Sequence, residues 1–262
     1  MAEPDAGPST RLRHSAAHWC FFKNTGLDPT TYFQRLRSLG VGGVEMAPPE
    51  HWDAARRAGL ELVNVGAPGM TSGFNDRRHH ASLVPQIEKL IDTAAREDIG
   101  HIIVFSGSKR GQDPAEALDA CAEALIELAR RAEEDGVDLL LEVLNRQDHP
   151  DYLADRSSFG IELVRRVGSP RLKLLLDAYH LARSGEDPAA VMTEHLDLVG
   201  HIHVADAPER GLPSADHGID YPTLVNHIHQ AGYRGWWGHE FIPGVDALDD
   251  LARSVQRLET WV

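Results

Sequence analysis

The chain has 262 residues, 42% hydrophobic and 25% charged, enough for a large α/β domain that buries its core without staples. Its 26 Lys plus Arg against 40 Asp plus Glu leave a formal net charge of −14, which repels polyphosphate at long range and disfavours a nucleic-acid partner. Residues 1–10 are polar and lack the apolar core of a signal peptide, no apolar stretch approaches a membrane span, and Cys20 and Cys121 sit outside any C-x-x-C; the expectation is a cytoplasmic protein with packed, reduced cysteines and a flexible tail over 1–10.

Arg11 to His18 reads as the first strand. Asp28-Pro29 opens a helix to about Leu39: Asp caps free N–H groups, Pro fits the first turn, and Gly40 tolerates the left-handed conformation of a helix end. Val41 to Met46 is the second strand, His51 to Ala58 a short helix and Leu60 to Val65 the third strand. A polar loop over 66–79 precedes a helix from Ser82 to Glu97 and a strand from His101 to Phe105. Asp113-Pro114 starts a long helix to about Asp135, followed by Asp138 to Val143 as strand five. Ser157 to Val167 is helical, Leu172 to Asp177 is strand six, and Asp187-Pro188 starts another helix. Leu198 to Ala205 is strand seven, Tyr221 to Ala231 a helix, Trp236 to Phe241 strand eight and Val245 to Trp261 the last helix.

Strict β/α alternation along the whole chain predicts a single-domain (β/α)8 TIM barrel, with no linker or composition break. Leu139-Leu140-Leu141 and Leu174-Leu175-Leu176 are continuously apolar, as expected of strands covered on both faces. A doubly wound open sheet would announce itself with a Gly-rich phosphate loop after the first strand, and Cys20 to Gly26 is not one.

Active sites of such barrels lie at the C-terminal ends of the strands. Strands five to eight deliver Glu142, Asp177, His203 and Glu240 to one rim. Three carboxylates and an imidazole cannot crowd together uncompensated, and a divalent cation resolves the conflict. Oxygen-rich ligands with one His suit Mg2+, Mn2+ or Co2+ better than a structural zinc. His201 and His203, two apart on a strand, face the same side; His203 is nearer the rim and is the ligand candidate, with His201 either a buried, hydrogen-bonded core residue or a group that supports the ligands from behind. His180 either binds a substrate oxygen or is an ordinary loop histidine.

The segments LLLEVLNR, KLLLDAYHL, GHIHVAD and GWWGHEF resemble the metal-binding strand ends of the xylose-isomerase-like barrels, with hydroxypyruvate isomerase and its relatives nearest and ketose 3-epimerases further off. HGIDYPTLVNHIHQAGYRGWWGHEF resembles that family's stretch before and through strand eight, and LNRQDHPDYL its segment after strand five. The resemblance implies that Glu142 and Glu240 bind the metal on opposite sides of the substrate, that Asp177 and His203 complete the coordination, and that Glu45, His180 and Arg210 contact substrate oxygens. It implies an isomerase for a small hydroxy-carbonyl compound such as hydroxypyruvate or tartronate semialdehyde, working through a metal-stabilised enediolate with the two glutamates as acid and base. Return of the proton to the neighbouring carbon isomerises; return to the opposite face of the same carbon epimerises. Three departures keep the substrate open: His203 stands where hydroxypyruvate isomerases often carry Gln, Ile242 where they often carry Lys, and Ala207 to His217 lacks the usual Gly-rich form.

The alternatives are a ketose 3-epimerase, a sugar-acid-binding barrel without turnover, and an endonuclease IV-like phosphodiesterase, against which the net charge counts. Residues 66–80 and the Trp19-Cys20-Phe21-Phe22 cluster are expected to roof the pocket, the aromatics serving otherwise in packing or a subunit interface. The expected partner is a small molecule, and a homo-oligomer is compatible with the resemblance.

Overall fold

A computed structural model describes residues 11–262; the expected tail over 1–10 lies outside the described residues. The strands are β1 (Arg13–Ala17), β2 (Gly43–Glu45), β3 (Glu61–Gly66), β4 (His101–Val104), β5 (Asp138–Val143), β6 (Leu172–Asp177), β7 (Val199–Val204) and β8 (Trp236–His239). They form a closed barrel in the order β1-β2-β3-β4-β5-β6-β7-β8, the TIM barrel that the alternation predicts. The α-helices of the described residues are α1 (His18–Thr25), α2 (Pro29–Ser38), α3 (Trp52–Arg57), α4 (Arg77–Arg96), α5 (Pro114–Asp135), α6 (Ser157–Val167), α7 (Ala178–Arg183), α8 (Pro188–Glu194), α9 (Tyr221–Gln230) and α10 (Ala247–Thr260). No helix is long and apolar enough to cross a membrane.

Local chemistry sets these boundaries. The Asp of each Asp-Pro pair caps its helix: Asp28 accepts the Thr31 N–H, Asp113 those of Ala115 and Glu116, and Asp187 those of Ala189 and Ala190. Helix α4 begins at Arg77, five residues before the expected Ser82, because Asp76 caps it by accepting the Arg78 N–H. Two helices were absent from the expected alternation. The first strand ends at Ala17, and His18 begins α1; α7 follows directly on Asp177, whose own side chain accepts the Tyr179 N–H. Strand eight stops at His239, short of the expected Phe241, although the Glu240 N–H still reaches the Val204 carbonyl at 3.2 Å.

Residue contacts gather into two units. The first comprises residues 11–63 with 187–196 and 202–262. In it β1 pairs in parallel with β2, Ala17 opposite Glu45, and with β8, Ala16 opposite His239, while His203 of β7 lies opposite Gly238. Its apolar interior includes Phe21 edge-on to Phe241 at 5.0 Å, with Tyr32, Phe33, Leu36 and Trp237 also buried. The second comprises 64–186 with 197–201. In it β5 lies between β4 and β6, with Val104 opposite Leu141 and Glu142 opposite Leu175. Leu139–Leu141 and Leu174–Leu176 are fully buried, as their unbroken apolar runs predict. Gly160 lets α6 sit close on these strands: a Cβ there would lie 2.9 Å from both Leu174 Cδ2 and Val143 Cγ2.

Candidate metal centre and active site

In the first unit, side chains alternate along each strand between the barrel interior and the helix layer. Glu45 ends β2 and is fully buried; its Oε1 accepts the Ser15 hydroxyl at 2.6 Å. His203, on β7 and fully buried, sets its Nε2 2.8 Å from Glu45 Oε2 and its Nδ1 3.1 Å from Glu240 Oε2. Burial by itself would lower the pKa of this ring, but the charges of Glu240 and Glu45 and their hydrogen bonds override it and hold the pKa well above the usual histidine range. Both nitrogens of the buried His203 ring thus face buried carboxylate oxygens.

Glu240 is itself gripped from outside. Trp19, the second residue of α1, donates its indole N–H to Glu240 Oε1 at 3.0 Å, and the Arg210 guanidinium pairs with Oε2. Arg210 lies over the Trp19 ring at 5.5 Å. The segment after β7 is built to present it. Asp206 and Gly211 exchange backbone hydrogen bonds, and Asp206 Oδ1 accepts the N–H groups of Ala207 and Ile219. Burial pushes the Asp206 carboxyl above its ordinary range, against the opposing pull of those N–H groups. Arg210 has φ +57, a left-handed conformation uncommon for a residue with a side chain. Gly218 is obligatory, because a Cβ there would fall 1.9 Å from the Ala207 carbonyl oxygen.

The second unit carries its own polar group at the ends of β5 and β6. Glu142 is buried in β5, and its backbone carbonyl accepts the Tyr152 hydroxyl at 2.9 Å. Asp177 ends β6 fully buried, its Oδ2 3.8 Å from His180 Nε2. His180 lies on α7 instead of in the expected loop, and its Nδ1 faces the backbone N–H and the side-chain amide of Asn145. Asp148 accepts from Asn145 and from the Tyr179 hydroxyl; burial would raise its pKa, but these bonds and Arg183 keep it below the ordinary value.

Every residue picked out for the rim therefore stands at the C-terminal end of its strand or just beyond it. Within the first unit the structure brings Glu45, His203, Glu240 and Arg210 together. Within the second it sets Asp177 beside His180. His201 is buried beside His101, the core position expected of it. Of the proposed aromatic roof, Phe21 and Cys20 are core, and Phe22 stacks on His18 and meets Tyr32 edge-on, so packing claims them. Trp19 alone of the four is well exposed, at 42%. The residues that sequence reading missed are Ser15, Asn145, Asp148 and the Trp19 indole as a partner of Glu240. Asn145 had a signal, since it follows Glu142 in the LLLEVLNR segment.

The donor chemistry fits a hard divalent cation. Within the first unit, the buried carboxylates of Glu45 and Glu240 flank the two nitrogens of the His203 ring, a set of oxygen donors with one imidazole. The chain is similar to several known proteins. A Streptomyces coelicolor relative is 35% identical over 147 residues, 55% of this chain and 52% of that one. The hydroxypyruvate isomerase of Escherichia coli is 32% identical over 189 residues, 72% of this chain and 58% of that one. The chain thus spans little more than half the length of these two relatives. The 2-oxo-tetronate isomerase of Pectobacterium atrosepticum is 26% identical over 246 residues, 87% of this chain and 91% of that one. Among solved structures, an AP endonuclease family 2 protein from Brucella melitensis superposes with TM-score 0.80 at 23% identity over 92% of this chain and 97% of that one. D-psicose 3-epimerase from Clostridium cellulolyticum superposes with TM-score 0.76 at 20% identity over 94% and 96%. These two share the fold. The sequence profile described as xylose isomerase-like TIM barrel matches residues 33–260, and the chain belongs to that family.

Proposed function

We propose that the chain is a divalent-metal-dependent isomerase of a small hydroxy-carbonyl compound, of the hydroxypyruvate or 2-oxo-tetronate isomerase type. The observation that carries this reading is the buried His203 ring set 2.8 Å from a Glu45 oxygen and 3.1 Å from a Glu240 oxygen. Glu142, Asp177, His203 and Glu240 are the residues that would hold the metal. Mg2+, Mn2+ or Co2+ would polarise a substrate carbonyl as a Lewis acid.

The protein's own residues do the rest. Glu240 or Glu142 takes the proton from the carbon beside the carbonyl, and the same group or its partner returns it to the neighbouring carbon. Trp19 and Arg210 fix the orientation of the Glu240 carboxylate through one oxygen each. Arg210, His180 and Glu45 bind substrate oxygens. The −14 charge makes a small molecule, and not a nucleic acid, the fitting substrate. A second reading, ketose 3-epimerisation on the same residues, is favoured by His203 in the place where hydroxypyruvate isomerases often carry Gln; the proton then returns to the opposite face of the same carbon.

The test is deuterium uptake. The protein with Mn2+ or Mg2+ is incubated in D2O with hydroxypyruvate, tartronate semialdehyde, 2-oxo-tetronate and a ketose panel, and read by NMR. Deuterium at a carbon beside a carbonyl, abolished by EDTA, supports the reading and names the substrate. Uptake that survives complete metal removal contradicts it.

A further inference from the structure

In the second unit, the surroundings of one buried histidine dictate where its proton sits. His180 is 1% exposed and Asn145 fully buried. Asn145 Oδ1 accepts the backbone N–H of Gln147 at 3.0 Å and that of Asp148 at 2.8 Å. Two backbone donors on one end fix the amide: that end is the oxygen and the other is the NH2. The NH2 nitrogen donates to Asp148 Oδ2 at 2.8 Å and lies 2.7 Å from His180 Nδ1. The backbone N–H of Asn145 is directed at the same Nδ1, at 3.1 Å.

The Asn145 backbone N–H and side-chain NH2 are donors only, so Nδ1 presents its lone pair to them. A neutral imidazole then carries its proton on Nε2. Nε2 is the edge turned toward Asp177, 3.8 Å from its Oδ2. The lock is tied at its far end as well, because Asp148 accepts the hydroxyl of Tyr179, the neighbour of His180 on α7, at 2.6 Å.

We propose that Asn145 is a positioning residue that locks His180 in the Nε2–H tautomer, so that His180 meets the substrate oxygen that gains negative charge as a hydrogen-bond donor and not as a proton-accepting base. This deepens the isomerase reading and rests on it. A donor fixed in advance on an oxygen that gains charge accounts for roughly 10²–10³ in turnover.

The tautomer is read without any reaction, by NMR of protein labelled with 15N-histidine, with His180→Gln identifying the ring. Wild type is expected to show a pyridine-type Nδ1 and a pyrrole-type Nε2 at this ring. Asn145→Asp, which sets a carboxylate oxygen against Nδ1, is expected to move the proton to Nδ1. A protonated Nδ1 in wild type overturns the lock whatever the activity. Deuterium uptake tests the donor role. His180→Gln places an amide N–H near the Nε2 position and is expected to keep about a tenth or more of turnover; His180→Asn places it near Nδ1 and is expected to lose roughly 10²–10³-fold. Equal loss in both overturns the donor role. An Nε2–H ring with no uptake from any substrate contradicts the isomerase reading while leaving the lock established.

Discussion

His203 and His239 stand on neighbouring strands one position apart in register, both fully buried, and their chemistry is opposite. His203 faces the barrel interior, where Glu45 and Glu240 hold its pKa well above the usual range. His239 faces the helix layer, its Nδ1 2.9 Å from the Ser254 hydroxyl of α10 and its Nε2 3.0 Å from His14 Nδ1, with His14 Nε2 3.0 Å from Glu259. Burial first, and the charge of His14 second, press the His239 pKa well below the usual range. Equal burial thus goes with a raised pKa in one layer and a lowered pKa in the other. Burial marks neither as functional; the partners do. Two carboxylates around one ring form a place for a cation, whereas a hydroxyl and a second ring form a structural tie between strand and helix.

Substitutions can break this contrast. The largest expected effect is on the interior side. Glu240→Gln keeps the shape and removes the proton-accepting charge, and deuterium uptake is expected to fall by about 10²–10⁴-fold; near wild-type uptake would remove Glu240 from the chemistry. His203→Ala takes the ring from between two buried carboxylates and is expected to cost about 3–5 kcal/mol in urea unfolding with EDTA present. His239→Ala, on the helix side, breaks its two hydrogen bonds, to Ser254 and His14, and is expected to cost about 1–3 kcal/mol. An equal cost for both histidines would erase the distinction.

Smaller effects sharpen it. Trp19→Phe keeps an aromatic ring but loses the N–H on Glu240, and turnover is expected to fall by about tenfold at most, with substrate KM little changed. The smallest effect concerns acid stability. Burial would raise the Glu259 pKa, but His14 and the N–H groups of Arg11 and Leu12 lower it to about 2. A carboxyl depressed in the folded state stabilises it above the ordinary carboxylate range, and that share is lost as pH falls toward the folded value. The Tm gap between wild type and Glu259→Gln is therefore expected to be widest near neutrality and to close as pH falls from about 5 toward about 2. A gap that persists unchanged in acid would mean that packing, and not the carboxylate charge, makes the difference.

What the sequence made legible was what repeats. Asp-Pro at Asp28, Asp113 and Asp187, Gly at helix ends and apolar runs at Leu139–Leu141 carry their structural meaning locally, and they sufficed for a barrel. Glu142, Asp177, His203 and Glu240 were legible as candidates because each interrupts or ends such a run, and Glu45 only through the family resemblance. What was not legible depends on distance along the chain. The Trp19 indole meets Glu240 across 221 positions, and the Asn145 amide meets His180 across 35. Helices α1 and α7 are short and begin directly at a strand end, so neither shows an apolar period of its own; tertiary packing of Phe21 and Leu181 makes them helices.

The most direct test of the central claim is equilibrium dialysis with Mn2+ on wild type, His203→Ala and His239→Ala side by side. One ion per chain is expected in wild type and in His239→Ala, and none in His203→Ala. Full Mn2+ content in His203→Ala, or loss of the ion in both variants alike, would contradict the assignment of the interior carboxylate–histidine cluster as the metal centre.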